Sequence, residues 1–291
     1  LGLSPDASAK PARATVKEVY TKVITDLRQA VNNPYLAANG VDIIHPGKAA
    51  GYALLARAYL YMAAYDSASL YADSSLALAS SLNDISSNYT VPTQLTDLRS
   101  NPEILMAKVA YEQNFYSIFK YAFQVSSGLS SLLSYYDGRY RTRLSGYNYR
   151  TTTYNGATTL FSDFSVSVPE VMLTKAECLA RAGDASGAVS LVNALAVKRT
   201  RFYTPLSTSS ADDALVYVLK ERRRELFIRG GLRLFDLKRF NVNPNTQVTL
   251  TRKQDDSTVI ATLPPLSSRY LVPFTQTVLA NNSNMVQNVR Q

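Results

Sequence analysis

Between Tyr135 and Tyr154, six tyrosines (Tyr135, Tyr136, Tyr140, Tyr147, Tyr149 and Tyr154) alternate with Arg139, Arg141, Arg143, Arg150 and Asn148. Tyrosine combines a flat apolar face with a hydroxyl, and arginine adds planar, fixed donors. That combination suits the capture of a sugar ring or another small nutrient. Tyr135, Tyr136, Arg139, Tyr147, Tyr149, Arg150 and Tyr154 are therefore the candidate ligand-binding residues. Two observations weigh against it: the same tyrosines could cap the core of a Ser/Thr-rich region, and the chain has no tryptophan, the larger stacking surface.

Residues with catalytic chemistry are sparse. His45 is the only histidine, so a His-dependent triad or a multi-His metal site would have to be built around one side chain. Its neighbours Ile44 and Pro46 place it in a loop just before a helix. No glycine-rich phosphate loop, GxGxxG or HExxH pattern occurs. Asp212-Asp213 and Asp255-Asp256 sit in turn-like or helix-start sequence, where aspartate normally caps. A two-carboxylate glycosidase stays open at this level, because such pairs meet in space rather than in sequence. Cys178 has no second cysteine to pair with and falls among alanines and leucines, as a small core residue would. The expectation is a non-enzymatic binding protein with no cofactor and no metal.

The formal net charge of +9 raises nucleic acid as a partner. The basic run Lys220 to Arg224 is flanked by Glu221 and Glu225, however, and no nucleic-acid motif surrounds it. No stretch of about 18 apolar residues is present to cross a bilayer as a helix.

Positioning these residues falls to helices. Thr15 and Glu18 form a capping-box pattern ahead of an apolar stripe through Val16, Val19, Tyr20, Val23, Ile24, Leu27 and Val31, and Pro34 closes it. Gly47 to Ala64 and Ser67 to Ala79 read as a helix pair joined at Tyr65 and Asp66, with small Ala49, Ala53, Ala56 and Ala72 allowing close approach. Pro169 to Ala182 and Ala185 to Val197 repeat the pattern across Gly183-Asp184. A third pair is a helix led in by Ala211 to Leu219 and ended by Gly230 and Gly231, followed by Leu232 to Phe240. On its first helix Leu215, Leu219, Arg222 and Leu226 share a face. The run Glu221 to Glu225 would ordinarily be a solvated charged face. On the second helix, Asp236 is in reach of Arg233 or Arg239. From Leu82 to Val168 the helical rhythm stops. Val248 to Arg252 and Thr258 to Leu263 read as a hairpin.

Four segments resemble the SusD/RagB family of outer-membrane nutrient-binding lipoproteins. They are Lys48 to Ala79, Leu173 to Arg201, Glu221 to Phe240 (ERRRELFIRGGLRLFDLKRF) and Tyr270 to Asn288, in the family's order. Asn101-Pro102-Glu103 with Ile104 to Ala110, and Ser130 to Leu144 (SSLLSYYDGRYRTRL), also resemble family segments, the latter a helix ending in Tyr, an acidic residue and Arg. The chain departs from the pattern at Arg229-Gly230 and at Thr275 to Val278, where the family usually carries an acidic residue. The resemblance implies an all-α, tetratricopeptide-like superhelix with loop-rich insertions and a minor β-hairpin. It implies one domain over 1–291, with helices in 1–81, a ligand region in 82–168, and repeats and closing segment in 169–291. It further implies a cell-surface lipoprotein of the outer membrane that binds an oligosaccharide and passes it to a SusC-like TonB-dependent transporter. Docking would use the helices near Val16 to Val31 and Lys48 to Ala79. The signal, the lipid-bearing cysteine and a first repeat would then lie upstream of Leu1. A binder of peptide-derived nutrients, or an intracellular tetratricopeptide scaffold, remains the alternative.

Overall fold

A computed structural model describes residues 8–87, 98–111, 125–145, 148–149, 161–227, 229–254 and 258–290. The described chain is mostly helical, with four two-stranded ladders. Its helices are α1 (Val16–Asn32), α2 (Lys48–Tyr61), α3 (Tyr65–Leu78), α4 (Ser127–Ser130), α5 (Gly138–Arg143), α6 (Val168–Arg181), α7 (Ala185–Ala196), α8 (Ala211–Glu225), α9 (Leu232–Phe240) and α10 (Gln276–Asn281). Two units are distinguished, Ile24–Arg233 and the combination of Leu1–Val23 with Leu234–Gln291.

In the larger unit α6 is the central element, packed on α3, α7 and α8 and also touching α2. Alanines make this possible. Ala176, Ala180, Ala185, Ala188 and Ala214 are all at most 5% exposed, and Val189, Val192 and Val218 fill the spaces between them. Cys178 joins Leu60 and Ala68 in a neighbouring cluster, the small core role expected of it. Polar ties cross the same interfaces: Arg57 on α2 grips Glu170 on α6 with both ends of its fork, and the Ser75 hydroxyl donates to the Ala49 carbonyl at 2.9 Å. A forked guanidinium–carboxylate pair fixes orientation as well as contributing energy.

The α2–α3 turn falls earlier than the sequence suggests. Ala63 adopts φ 57° and ends α2, and α3 starts at Tyr65 rather than after it. Between α6 and α7 the expected Gly183-Asp184 turn forms, with Gly183 at φ 91° and the Asp184 carboxylate accepting from the Gly187 N–H at 2.8 Å. β1 (Ile104–Met106) pairs antiparallel with β6 (Val166–Ser167). β2 (Val109–Tyr111) pairs with β5 (Phe161–Asp163), and β3 (Leu144–Ser145) with β4 (Asn148–Tyr149). The β1–β6 and β2–β5 ladders tie Ile104–Met106 and Val109–Tyr111 to the strands just ahead of α6.

In the smaller unit the Thr15–Glu18 capping box is made in full, with the Thr15 N–H and hydroxyl donating to Glu18 at 2.7 and 2.8 Å and the Glu18 N–H donating back at 3.2 Å. The Thr15 backbone, then its hydroxyl, hold the Glu18 carboxyl below its usual range. β7 (Leu250–Lys253) and β8 (Val259–Leu263) form the expected hairpin. The amides of the closing segment act as ties: Asn282 and Asn284 donate to the Pro11 and Lys10 carbonyls, and the Gln287 side chain bonds both the N–H and the C=O of Phe274. Asp236 pairs with Arg239 at 3.0 Å, one of the two partners expected.

Candidate functional site

Of the seven candidate residues, the structure describes the side chains of three. Tyr149 is placed by its backbone in β4, opposite Leu144, and Tyr147, Arg150 and Tyr154 lie outside the described residues.

Tyr135 and Tyr136 lie on the turn between α4 and α5, not on one continuous helix through Ser130 to Leu144. The break has a steric and an electrostatic cause. Gly138 passes so close to residue 85 that an added Cβ would stand 2.3 Å from the Ile85 carbonyl oxygen, and its N–H donates to the Arg199 carbonyl at 2.7 Å. Asp137 is 2% exposed and accepts from the Arg139 backbone N–H at 2.9 Å. The turn is thereby sewn to the segment after α7: the Arg201 N–H donates to the Tyr136 carbonyl at 3.0 Å, and Asp137 bridges Thr200.

This stitching builds an exposed aromatic surface. Tyr135, Tyr136 and Phe202 are 67%, 49% and 74% exposed. Tyr136 sits edge-on to both neighbours, at 5.6 Å and 80° to Tyr135 and 5.6 Å and 76° to Phe202. The Arg201 guanidinium lies 4.6 Å from the Phe202 ring centre. Phe202 holds φ 60°, a conformation that a bulky residue adopts only when its surroundings force it. Such strain concentrates at functional sites. Phe202 and Arg201 have no counterpart among the candidate residues; they lie some 65 positions along the chain, and only the tertiary stitching brings them in.

Arg139 is where the sequence-level assignment needs correction. It is 1% exposed, beneath the aromatic surface rather than on it. Its fork grips both Asp137 oxygens, at 2.9 and 2.8 Å, and its remaining terminal nitrogen reaches Glu221 and Glu225. Arg199, equally buried, bonds Glu225 at 3.1 Å, Glu103 at 2.6 Å and the Asn83 carbonyl at 2.6 Å. Burial by itself would depress both guanidiniums. The carboxylates, led by Glu221 for Arg139 and by Glu225 for Arg199, more than offset it and hold both raised, so both stay charged at any pH of interest. A ligand cannot reach these donors. Their role is to fix the turn, because a buried charge network with its partners in place tolerates little displacement.

The same network overturns the solvated reading of Glu221 to Glu225. Glu221, Arg222 and Glu225 are at most 1% exposed, and the buried face of α8 runs through Ala214, Val218, Glu221, Arg222 and Glu225 rather than through Leu215 and Leu219. Carboxylates with guanidinium partners go inside, and the helix is rotated accordingly. His45 is exposed in its loop, with Nδ1 3.0 Å from Asp42.

Residues 168–290 match the model of the SusD family. Residues 2–60 match that of a family described as starch-binding and associating with the outer membrane. Two separate parts of the chain are thus similar to SusD-type families. Solved structures with the same fold include a Bacteroides vulgatus protein assigned as sugar-binding, with TM-score 0.75, 24% identity and coverage of 98% of this chain and 68% of that one. A SusD superfamily protein from Bacteroides thetaiotaomicron gives TM-score 0.73 at 20% identity, covering 100% and 70%. A SusD-like carbohydrate-binding protein from Bacteroides vulgatus gives 0.65 at 21%, covering 96% and 67%. At these identities the likeness establishes the fold. No curated protein matches the sequence. No described helix is long and apolar enough to cross a membrane.

Proposed function

We propose that this SusD-like chain is a non-enzymatic saccharide-binding protein that takes its ligand on the Tyr135–Tyr136–Phe202 surface. The observation that carries this is the rigid presentation of three exposed rings, one of them on strained backbone, by a turn clamped over buried ion pairs. Aromatic faces of this kind accept the C–H face of a sugar, and Arg201 beside them supplies planar donors to its hydroxyls. The family's description as starch-binding and associated with the outer membrane supports the ligand class and the compartment. In that setting the protein is a surface lipoprotein that hands an oligosaccharide to a SusC-like TonB-dependent transporter. Tyr147, Tyr149, Arg150 and Tyr154, further along the same tyrosine-rich segment, are proposed to extend the contact.

The chain lacks tryptophan, so Tyr136→Trp creates a single fluorescent reporter on the surface itself. Titration of that variant with maltoheptaose and a panel of plant oligosaccharides should give a saturable fluorescence change for at least one of them. Incubation with the same panel should release no new reducing ends. Silence across the panel, with a response to peptides instead, would move the ligand to a peptide-derived nutrient. For the transporter, co-purification of the full-length protein with a large outer-membrane barrel under mild detergent is the expected outcome.

A further inference from the structure

A second cleft, unrelated to the aromatic surface, opens where the Asn39–Gly47 loop faces the segment from Arg99 to Leu105. Its volume of about 520 Å³ is of small-ligand size. The floor is apolar, with Ala50 from the first turn of α2 and Ile104 from β1, and no aromatic side chain lines it.

What singles this cleft out is Asn101. The residue is 5% exposed, and its Oδ1 accepts two donors, the Asn83 side-chain amide at 2.8 Å and the Glu103 backbone N–H at 3.0 Å. The Glu103 N–H can only donate, so it fixes which end of the amide is oxygen. Nδ2 is left without a protein acceptor on a cleft-lining residue. That amide is open to the cleft and is free to donate to whatever occupies it. Across the opening, Asn39 spends its Nδ2 on the Leu78 carbonyl at 3.2 Å, which leaves its Oδ1 as an acceptor. Asp42 adds a carboxylate whose pKa is lowered to about 2, first by the His45 ring and then by the His45 and Ile44 backbone N–H groups. Arg99 contributes cationic character on the Asn101 side.

Donors on one wall and acceptors on the other suit a molecule whose every polar group both gives and takes a hydrogen bond. A hydroxyl does so, whereas a carboxylate only accepts and would leave Asn39 Oδ1 and Asp42 without a donor. We infer that this cleft is a second ligand site, for a single neutral sugar residue held by hydrogen bonds without ring stacking. The inference rests on the saccharide reading above for its ligand class, and on Asn101 for its position.

Saturation-transfer NMR with D-glucose, D-galactose, D-xylose and N-acetyl-D-glucosamine at millimolar concentration tests it. At least one sugar should receive saturation from the native chain. Asn101→Asp, which keeps the accepting oxygen and deletes the donor, should weaken binding at least tenfold. Because a buried carboxylate beside Glu103 risks the fold, Ser81→Trp at the exposed rim is the second variant, and it should abolish binding by filling the cleft. Phe202→Ala should leave the monosaccharide signal in place. The inference is overturned if no sugar in the panel receives saturation, if the signal survives Ser81→Trp, or if Phe202→Ala removes it. Oligosaccharide binding at the aromatic surface that persists alongside any of these results would leave the proposed function standing while this site falls.

Discussion

Phe202 links strain to function in a way that two substitutions can separate. At φ 60° an L-residue with a Cβ carries roughly 1–2 kcal/mol of steric cost, which glycine does not. The ring is 74% exposed, and its intramolecular return is limited to an edge contact with Tyr136 and the Arg201 guanidinium over its face. Phe202→Ala deletes the ring and keeps the strain; Phe202→Gly deletes both. Glycine's extra freedom in the unfolded chain takes back about 0.5–1 kcal/mol, which leaves the glycine variant ahead of the alanine variant by about 0.5–1 kcal/mol. Urea unfolding followed by helical circular dichroism should resolve that order. Both variants should lose oligosaccharide affinity together, by about 1 kcal/mol or more, or roughly fivefold in Kd, if the ring stacks on the ligand. An alanine variant as stable as the glycine one would refute the strained backbone. Unchanged affinity in both would refute the ligand role of the ring.

Arg139→Met should destabilise the fold by about 3–5 kcal/mol, seen in urea unfolding, because it leaves Asp137, Glu221 and Glu225 buried without that cation. Arg201→Gln, at a half-buried position beside Phe202, should cost less than about 1 kcal/mol of stability while weakening oligosaccharide binding. Gly138→Ala should cost more than about 2 kcal/mol and disturb the aromatic surface as well, since its Cβ would stand 2.3 Å from a backbone oxygen that cannot swing aside. The Asp42 cap has a defined pH window. Its pKa is depressed from 3.8 to about 2, so its contribution is complete above about pH 4 and is lost as pH falls through about 2; the amide resonances of Ile44 and His45 should report it.

The sequence by itself determined the helices, the α2–α3 and α6–α7 pairings and the resemblance to the SusD family, because these rest on local regularities. Alanine and leucine at helical spacing in α2, α3, α6 and α7, the Thr15–Glu18 box and the Gly183-Asp184 turn each encode their structure within a few residues. Even the asparagines of the closing segment were legible as a motif, though not as the ties they make to Lys10 and Pro11. Only the tertiary structure decided the fate of the charges. Glu221, Arg222 and Glu225 look in sequence like any solvated run, and Arg139 like any surface arginine, because burial of an ion depends on partners that arrive from distant segments. Here Glu221 and Glu225 meet Arg139 and Arg199 from two other stretches, and Glu103 from a third completes Arg199. The site follows the same logic: Tyr135 and Tyr136 were found as part of a dense cluster, whereas Phe202 and Arg201 joined them only because the backbone bonds at Gly138 and Tyr136 fold the turn onto the end of α7.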